Sequence, residues 1–225
     1  MKKIFLFVLT TLIVLTIYGY DEPDVQPEKP PPSHEEIQVP EPSVNRKSHA
    51  DRNSDASNNV YMNRLTVNYD KRNYREAVSD ADEVLRVDPT NIDAYIYRGY
   101  AYSTLENYRA AVADFTKVIE LDPKNLDAYF GRGVAFANMG DYNNAVADFD
   151  KLIALNPLDV ENYENRGMIY GNMGDFAKAL ADFDKVIELR PTVDAYQRRG
   201  KCHEALGDNS KAQADFAKAR ELGGG

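Results

Sequence analysis

From about Asn58 onward, apolar, aromatic and small residues recur against a charged background with a period of 34 residues. Prolines stand at Pro89, Pro123, Pro157 and Pro191. Units numbered so that each proline falls at position 32 hold Tyr95, Tyr129, Tyr163 and Tyr196 at position 4 and Gly99, Gly133, Gly167 and Gly200 at position 8. Position 11 carries Tyr102, Phe136, Tyr170 and His203, position 20 Ala111, Ala145, Ala179 and Ala212, and position 24 Phe115, Phe149, Phe183 and Phe216. Within each half of a unit these spacings gather the residues on one helix face, so every unit predicts two antiparallel helices, near positions 1 to 14 and 17 to 30. An earlier unit keeps Tyr61, Ala77 and Pro89 in register but has Leu65 in place of the glycine and Ala81 in place of the phenylalanine.

The fixed residues have packing and capping tasks. A glycine inside a helix costs about 1 kcal/mol relative to alanine, so its return at position 8 needs a close neighbour. Gly140-Asp141, Gly174-Asp175 and Gly207-Asp208 read as turns, with the glycine left-handed and the aspartate capping the next helix. Asn73 and Asn107 take the same capping slot in the first two units, where Arg72 and Glu106 replace the glycine and make those turns strained or differently closed. Asn91, Asn125 and Asp159 are the expected caps of the first helices, and unit five, one residue shorter before Tyr196, has an altered junction. Arginine at position 7 (Arg64, Arg98, Arg132, Arg166, Arg199) and aspartate at position 23 (Asp80, Asp114, Asp148, Asp182, Asp215) pair in every unit, which suggests an interhelical ladder; the other reading is two separately solvated faces.

This pattern resembles the tetratricopeptide repeat, with tyrosine where that repeat usually has tryptophan and arginine where it usually has leucine. The resemblance implies an all-α fold, a right-handed α-solenoid of about five helix-turn-helix units at 58–91, 92–125, 126–159, 160–192 and 193–225. It also implies a concave groove lined by the first helices. The residues so placed are Ile96, Tyr97 and Tyr100 in unit two and Phe130, Val134 and Asn138 in unit three, followed by Asn165, Met168 and Asn172 in unit four and Arg198 and Lys201 in unit five. Exposed aromatics beside amides suit a partner peptide or helix, whose side chains enter pockets while amides pair with its backbone. The competing reading has Tyr97, Tyr100 and Phe130 covered by neighbouring helices. The carboxylate clamp of some relatives matches at two of its five slots here, Asn165 and Arg198, which disfavours that ligand class.

The rest of the chain bears on location and chemistry. Residues 1–20 hold two lysines and an uncharged, mostly apolar run from Ile4 to Tyr18, short for a membrane span and suited to a signal. Three readings stand: cleavage after Gly19, an uncleaved membrane anchor, or a lipoprotein relative in which Tyr20 holds the cysteine's place. All imply export, to the periplasm or cell envelope. Residues 21–57 contain seven prolines and nine acids against four bases, the composition of a disordered spacer. A net charge of −9 makes nucleic acid a poor electrostatic partner. Cys202, the single cysteine, excludes an intrachain disulfide and reads as a buried small hydrophobe. None of the three histidines has metal-ligand or triad spacing, so neither enzyme nor cofactor is expected. A protein-binding scaffold is the leading functional expectation; the alternative is a small-ligand-binding accessory subunit of an envelope transport or assembly system.

Overall fold

The computed structural model describes residues 56–224 together with Gln38. The expected signal or anchor lies outside these residues, as does the proline-rich spacer apart from Gln38, Ala56 and Ser57. Among those described the chain is all helix, ten in sequence: α1 (Ala56–Asp70), α2 (Tyr74–Val87), α3 (Ile92–Thr104), α4 (Tyr108–Leu121), α5 (Leu126–Asn138), α6 (Tyr142–Leu155), α7 (Val160–Asn172), α8 (Phe176–Leu189), α9 (Val193–Ala205) and α10 (Asn209–Gly223). Consecutive helices pack in hairpins, and each hairpin packs on the next, which makes an α-solenoid. Odd-numbered helices are the first helices of their units.

Inside each hairpin the first helix comes close to the second because position 8 has no side chain. A Cβ added to Gly99, Gly133, Gly167 or Gly200 would lie 2.9, 3.1, 3.1 or 2.6 Å from the ring of Phe115, Phe149, Phe183 or Phe216, respectively. The first unit solves the same problem in reverse, with Leu65 and Ala81 both buried in one cluster, so its departure from the pattern is an exchange of bulk between the two helices. Tyr95, Tyr129 and Tyr163 donate their hydroxyls to the carbonyls of Pro89, Pro123 and Pro157 at 3.2–3.3 Å, tying the proline to the tyrosine six residues on.

The arginine ladder is present. Arg98, Arg132, Arg166 and Arg199 hold Asp114, Asp148, Asp182 and Asp215 in bidentate pairs of 2.6–3.0 Å, and Arg64 bonds Asp80. The ladder also crosses between units. The Nη1 groups of Arg98, Arg166 and Arg199 reach Asp82, Asp150 and Asp184 at position 25 of the preceding unit, at 2.5, 2.5 and 2.7 Å. Arg132 finds Thr116 there instead, at 3.2 Å. Aromatic rings at positions 4 and 11 sandwich three of these guanidiniums, those of Arg98, Arg132 and Arg166, within 5.5–6.0 Å. Burial pushes the Asp114, Asp148 and Asp182 carboxyls up from their ordinary value, against the pull of their arginines.

The turns between helices resolve one expectation, in favour of strain, and depart from another. Arg72 and Glu106 are left-handed, with φ of 63° and 59°, like Gly140, Gly174 and Gly207. They are therefore closed in the same way, with the following amide bonded back five residues along the helix, and carry the strain of a Cβ in that region. Asn73 and Asn107 occupy the capping slot without a side-chain capping bond, whereas Asp141, Asp175 and Asp208 accept from Asn144, Lys178 and Lys211 amides. In these three turns the side chains of Asn144, Lys178 and Lys211 also hold the capping carboxylate at 2.7 Å, where the first two units have Glu76 and Ala110. The short junction of unit five is capped by Thr192, which accepts from the Ala195 amide.

Candidate functional site

The first helices present one face through positions 5, 9 and 12, and the character of this face changes along the solenoid. In unit two all three positions are closed: Ile96, Tyr100 and Ser103 are buried. In unit three Phe130 is half-buried while Val134 and Ala137 remain buried. Glu164, Met168 and Gly171 of unit four are all half-buried, and Gln197, Lys201 and Glu204 of unit five are all exposed. The face therefore opens from α3 to α9.

The closed end is filled by its own aromatics. Tyr100 stacks edge-on against Phe115, 5.0 Å between centroids, and its hydroxyl donates to the Asp127 carbonyl at 3.2 Å, which joins unit two to unit three. Burial raises its phenol well above the ordinary value and keeps it protonated as a donor. Tyr97 lies edge-on to Tyr69, 5.3 Å away, and Tyr69 in turn meets Tyr74. The expectation that Ile96, Tyr97, Tyr100 and Val134 offer themselves to a partner is thus corrected: their side chains are core, covered by the adjacent unit. Asn165 is likewise buried, its amide donating to the Glu161 carbonyl one turn back. Phe130 packs edge-on against Phe149 at 5.5 Å and keeps part of its surface.

Asn138, Met168, Asn172 and Arg198 are half-buried and Lys201 is exposed, so these five with Phe130 are the expected groove residues that reach the surface. Gly171 lies among them with nothing within 4 Å of the Cβ it lacks, a gap in the face at position 12. Charge is mixed here. Arg198 bonds Asp194 at 2.6 Å and Arg190 reaches back to Glu164 at 3.3 Å. Burial, with Asp159 and Glu164 nearby, raises the Glu161 carboxyl above its ordinary value. Beyond α9 an open cleft of about 650 Å³ runs between Val193, Gln197, Lys201 and Glu204 on one side and Phe216, Ala219 and Arg220 on the other. Sequence reasoning missed Gly171 and this cleft; the departure of position 12 from Ser103 and Ala137 to Gly171 and Glu204 was the available signal.

Among the described residues no helix is long and apolar enough to cross a membrane, and no cluster of metal-ligating side chains occurs. Cys202 is buried.

Family models described as tetratricopeptide repeat match residues 98–160, 161–192 and 193–222. Among solved structures the chain is similar to a MamA protein at 27% identity and TM-score 0.70, over 74% of this chain and 91% of the other. It is also similar to MamA from residue 41 onward of Desulfovibrio magneticus RS-1, at 23% identity and TM-score 0.72, over 75% and 96%. No curated protein matches it.

Proposed function

The chain belongs to the tetratricopeptide repeat family and is a protein-interaction scaffold; on that premise we propose that it captures a segment of a partner protein along the open part of its groove, on α5, α7 and α9. The observation that carries this reading is the gradient of exposure at positions 5, 9 and 12. A binding face needs side chains that can exchange water for a ligand, and these lie in units three to five. Half-buried Phe130 and Met168 supply apolar contact, and the amides of Asn138 and Asn172 sit beside them, one repeat apart. That combination suits a peptide read by main chain and side chain together. The apolar run Ile4–Tyr18 supports export of the scaffold to the cell envelope, and N-terminal sequencing of the mature protein tests this.

Photo-crosslinking residues placed at Met168 and Gln197, with Lys151 on the exposed side of α6 as control, test the groove in the producing cell. Discrete adducts with another protein from the two groove positions and none from the control are expected. Equal products from all three, or none from the groove, reject it. The cleft beside α9 favours a second reading, a small ligand held by Phe216 and its neighbours. Native mass spectrometry of the full chain distinguishes the two, since a retained small molecule adds a fixed mass.

A further inference from the structure

Among the described residues, the outer face of α1 departs from the pattern of the other first helices. Positions 3 and 10 of a first helix are buried against the preceding unit throughout: Ala94 and Ala101, Ala128 and Ala135, Asn162 and Ile169, Ala195 and Cys202. In α1 the same positions hold Val60 and Val67, 61% and 47% exposed. Larger apolar side chains thus stand where exposure is greatest. On α10, by contrast, the exposed positions are polar: positions 17, 21 and 28, which are Tyr108, Val112 and Ile119 in unit two, become Asn209, Gln213 and Arg220.

Arg64 lies between the two valines. It spends Nε and Nη2 on Asp80, and its side chain is 55% exposed, against 19–22% for Arg98, Arg132, Arg166 and Arg199. The Nη1 edge is the one that Arg98, Arg166 and Arg199 turn to an aspartate of the preceding second helix. The α1 face therefore repeats the chemistry of the interface between units, two apolar contacts flanking a cationic fork that takes a carboxylate.

We propose that the Val60, Arg64 and Val67 face docks a helix of another protein that bears an aspartate or glutamate between small or apolar residues, as α6 with Asp150 receives α7. A second copy of this chain offers no free carboxylate at the position that Asp150 holds. Asp82, Asp150 and Asp184 are taken by its own arginines, α10 has Ala217 at the corresponding position, and two α1 faces together would oppose Arg64 to Arg64.

The test uses the full chain in the producing cell, with a photo-crosslinking residue at Val60 and, separately, at Val67, and the adducts mapped by mass spectrometry. The expected adduct joins another protein through a helix containing an acidic residue, and falls about tenfold when Val67→Glu sets a like charge against that carboxylate in the Val60 crosslinker. Val67 is exposed, so an unchanged circular dichroism melt shows that the variant folds. Adducts within this chain, adducts to a second copy, adducts indifferent to Val67→Glu, or no adduct each overturn the proposal. Crosslinking from Met168 is read separately, so loss of the groove reading and loss of this one are distinguishable.

Discussion

Units two and four share the tyrosine, arginine, glycine, alanine, aspartate and phenylalanine that pack each hairpin, yet at positions 5, 6 and 9 one has Ile96, Tyr97 and Tyr100, all buried, and the other Glu164, Asn165 and Met168, of which the first and last reach the surface. The difference arises on the next unit as well as within each. Unit three brings Gly131 against Phe115, where an added Cβ would lie 2.3 Å from the ring, so α5 sits close enough to cover Tyr100 and its neighbours. Further along, Gly171 leaves space that nothing fills. The fixed positions build the same hairpin each time, and the variable ones decide whether the groove is occupied by the protein itself or left to another molecule.

The comparison breaks if position 9 has equal weight in both units. Tyr100→Ala is expected to cost about 3 to 5 kcal/mol, as removal of a large core side chain does, while Met168→Ala, at a half-buried site, costs about 1 kcal/mol. Urea denaturation of the full chain measures both; similar midpoints would mean that the groove is not closed at unit two. The two glycines sharpen the same contrast in sign. Gly131→Ala forces its methyl into Phe115 and should destabilise by about 1 to 3 kcal/mol, whereas Gly171→Ala meets open space and gains up to about 1 kcal/mol of helix propensity.

A smaller effect separates the turns of the two halves. Arg72→Gly and Glu106→Gly should each stabilise by about 1 kcal/mol by removing a Cβ from the left-handed region, and Gly174→Ala should destabilise by a similar amount. Thermal melts that leave Glu106→Gly at or below the parent would show that the first turns carry no strain. The aspartate caps add a pH signature. Asp208 is held below the ordinary carboxylate range by hydrogen bonds from Lys211, so its contribution is present above the unfolded value and lost as pH falls through the lowered one. Asp208→Asn should therefore lower the melting temperature at pH 7 and leave it unchanged near pH 2.

How much of this was legible in sequence follows from which interactions are local. The close neighbour that position 8 glycine requires, the arginine and aspartate pairing at a separation of 16, read as a ladder against two solvated faces, and the Gly-Asp turns all lie within one unit, where the repeat makes them visible. The Leu65 and Ala81 exchange was visible as two departures, but its meaning as one compensation appears only when both side chains share a cluster. The sequence left open whether Tyr97 and Tyr100 are covered, because Tyr69 against Tyr97, and Tyr100 against the Asp127 carbonyl, are contacts between units, and a position number gives a side chain's direction without telling how closely the neighbour approaches. The absent caps at Asn73 and Asn107 were not legible either: asparagine caps at Asn91 and Asn125, so residue type alone does not decide whether the slot is used.

The smallest expected effect lies at the boundary between the two halves. Arg132 is the one inter-unit arginine among those described that meets a hydroxyl, Thr116, where Arg98, Arg166 and Arg199 meet carboxylates. Its guanidinium is already paired with Asp148 and stacked between Tyr129 and Phe136, so a second carboxylate would add a charge-assisted bond without having to order the side chain. Against this stands partial exposure, since Asp82, Asp150 and Asp184 are 54, 53 and 62% exposed and water screens their pairs. Thr116→Asp should therefore raise stability by a few tenths of a kcal/mol up to about 1 kcal/mol, and the gain should fall in 1 M salt, where the screening length is about 3 Å. A double-mutant cycle with Arg132→Gln isolates the pair. A coupling of zero at low salt would show that the break at Thr116 costs the solenoid nothing, and that packing such as that of Tyr100, Ala128, Gly131 and Ala135 holds units two and three together without a charged pair.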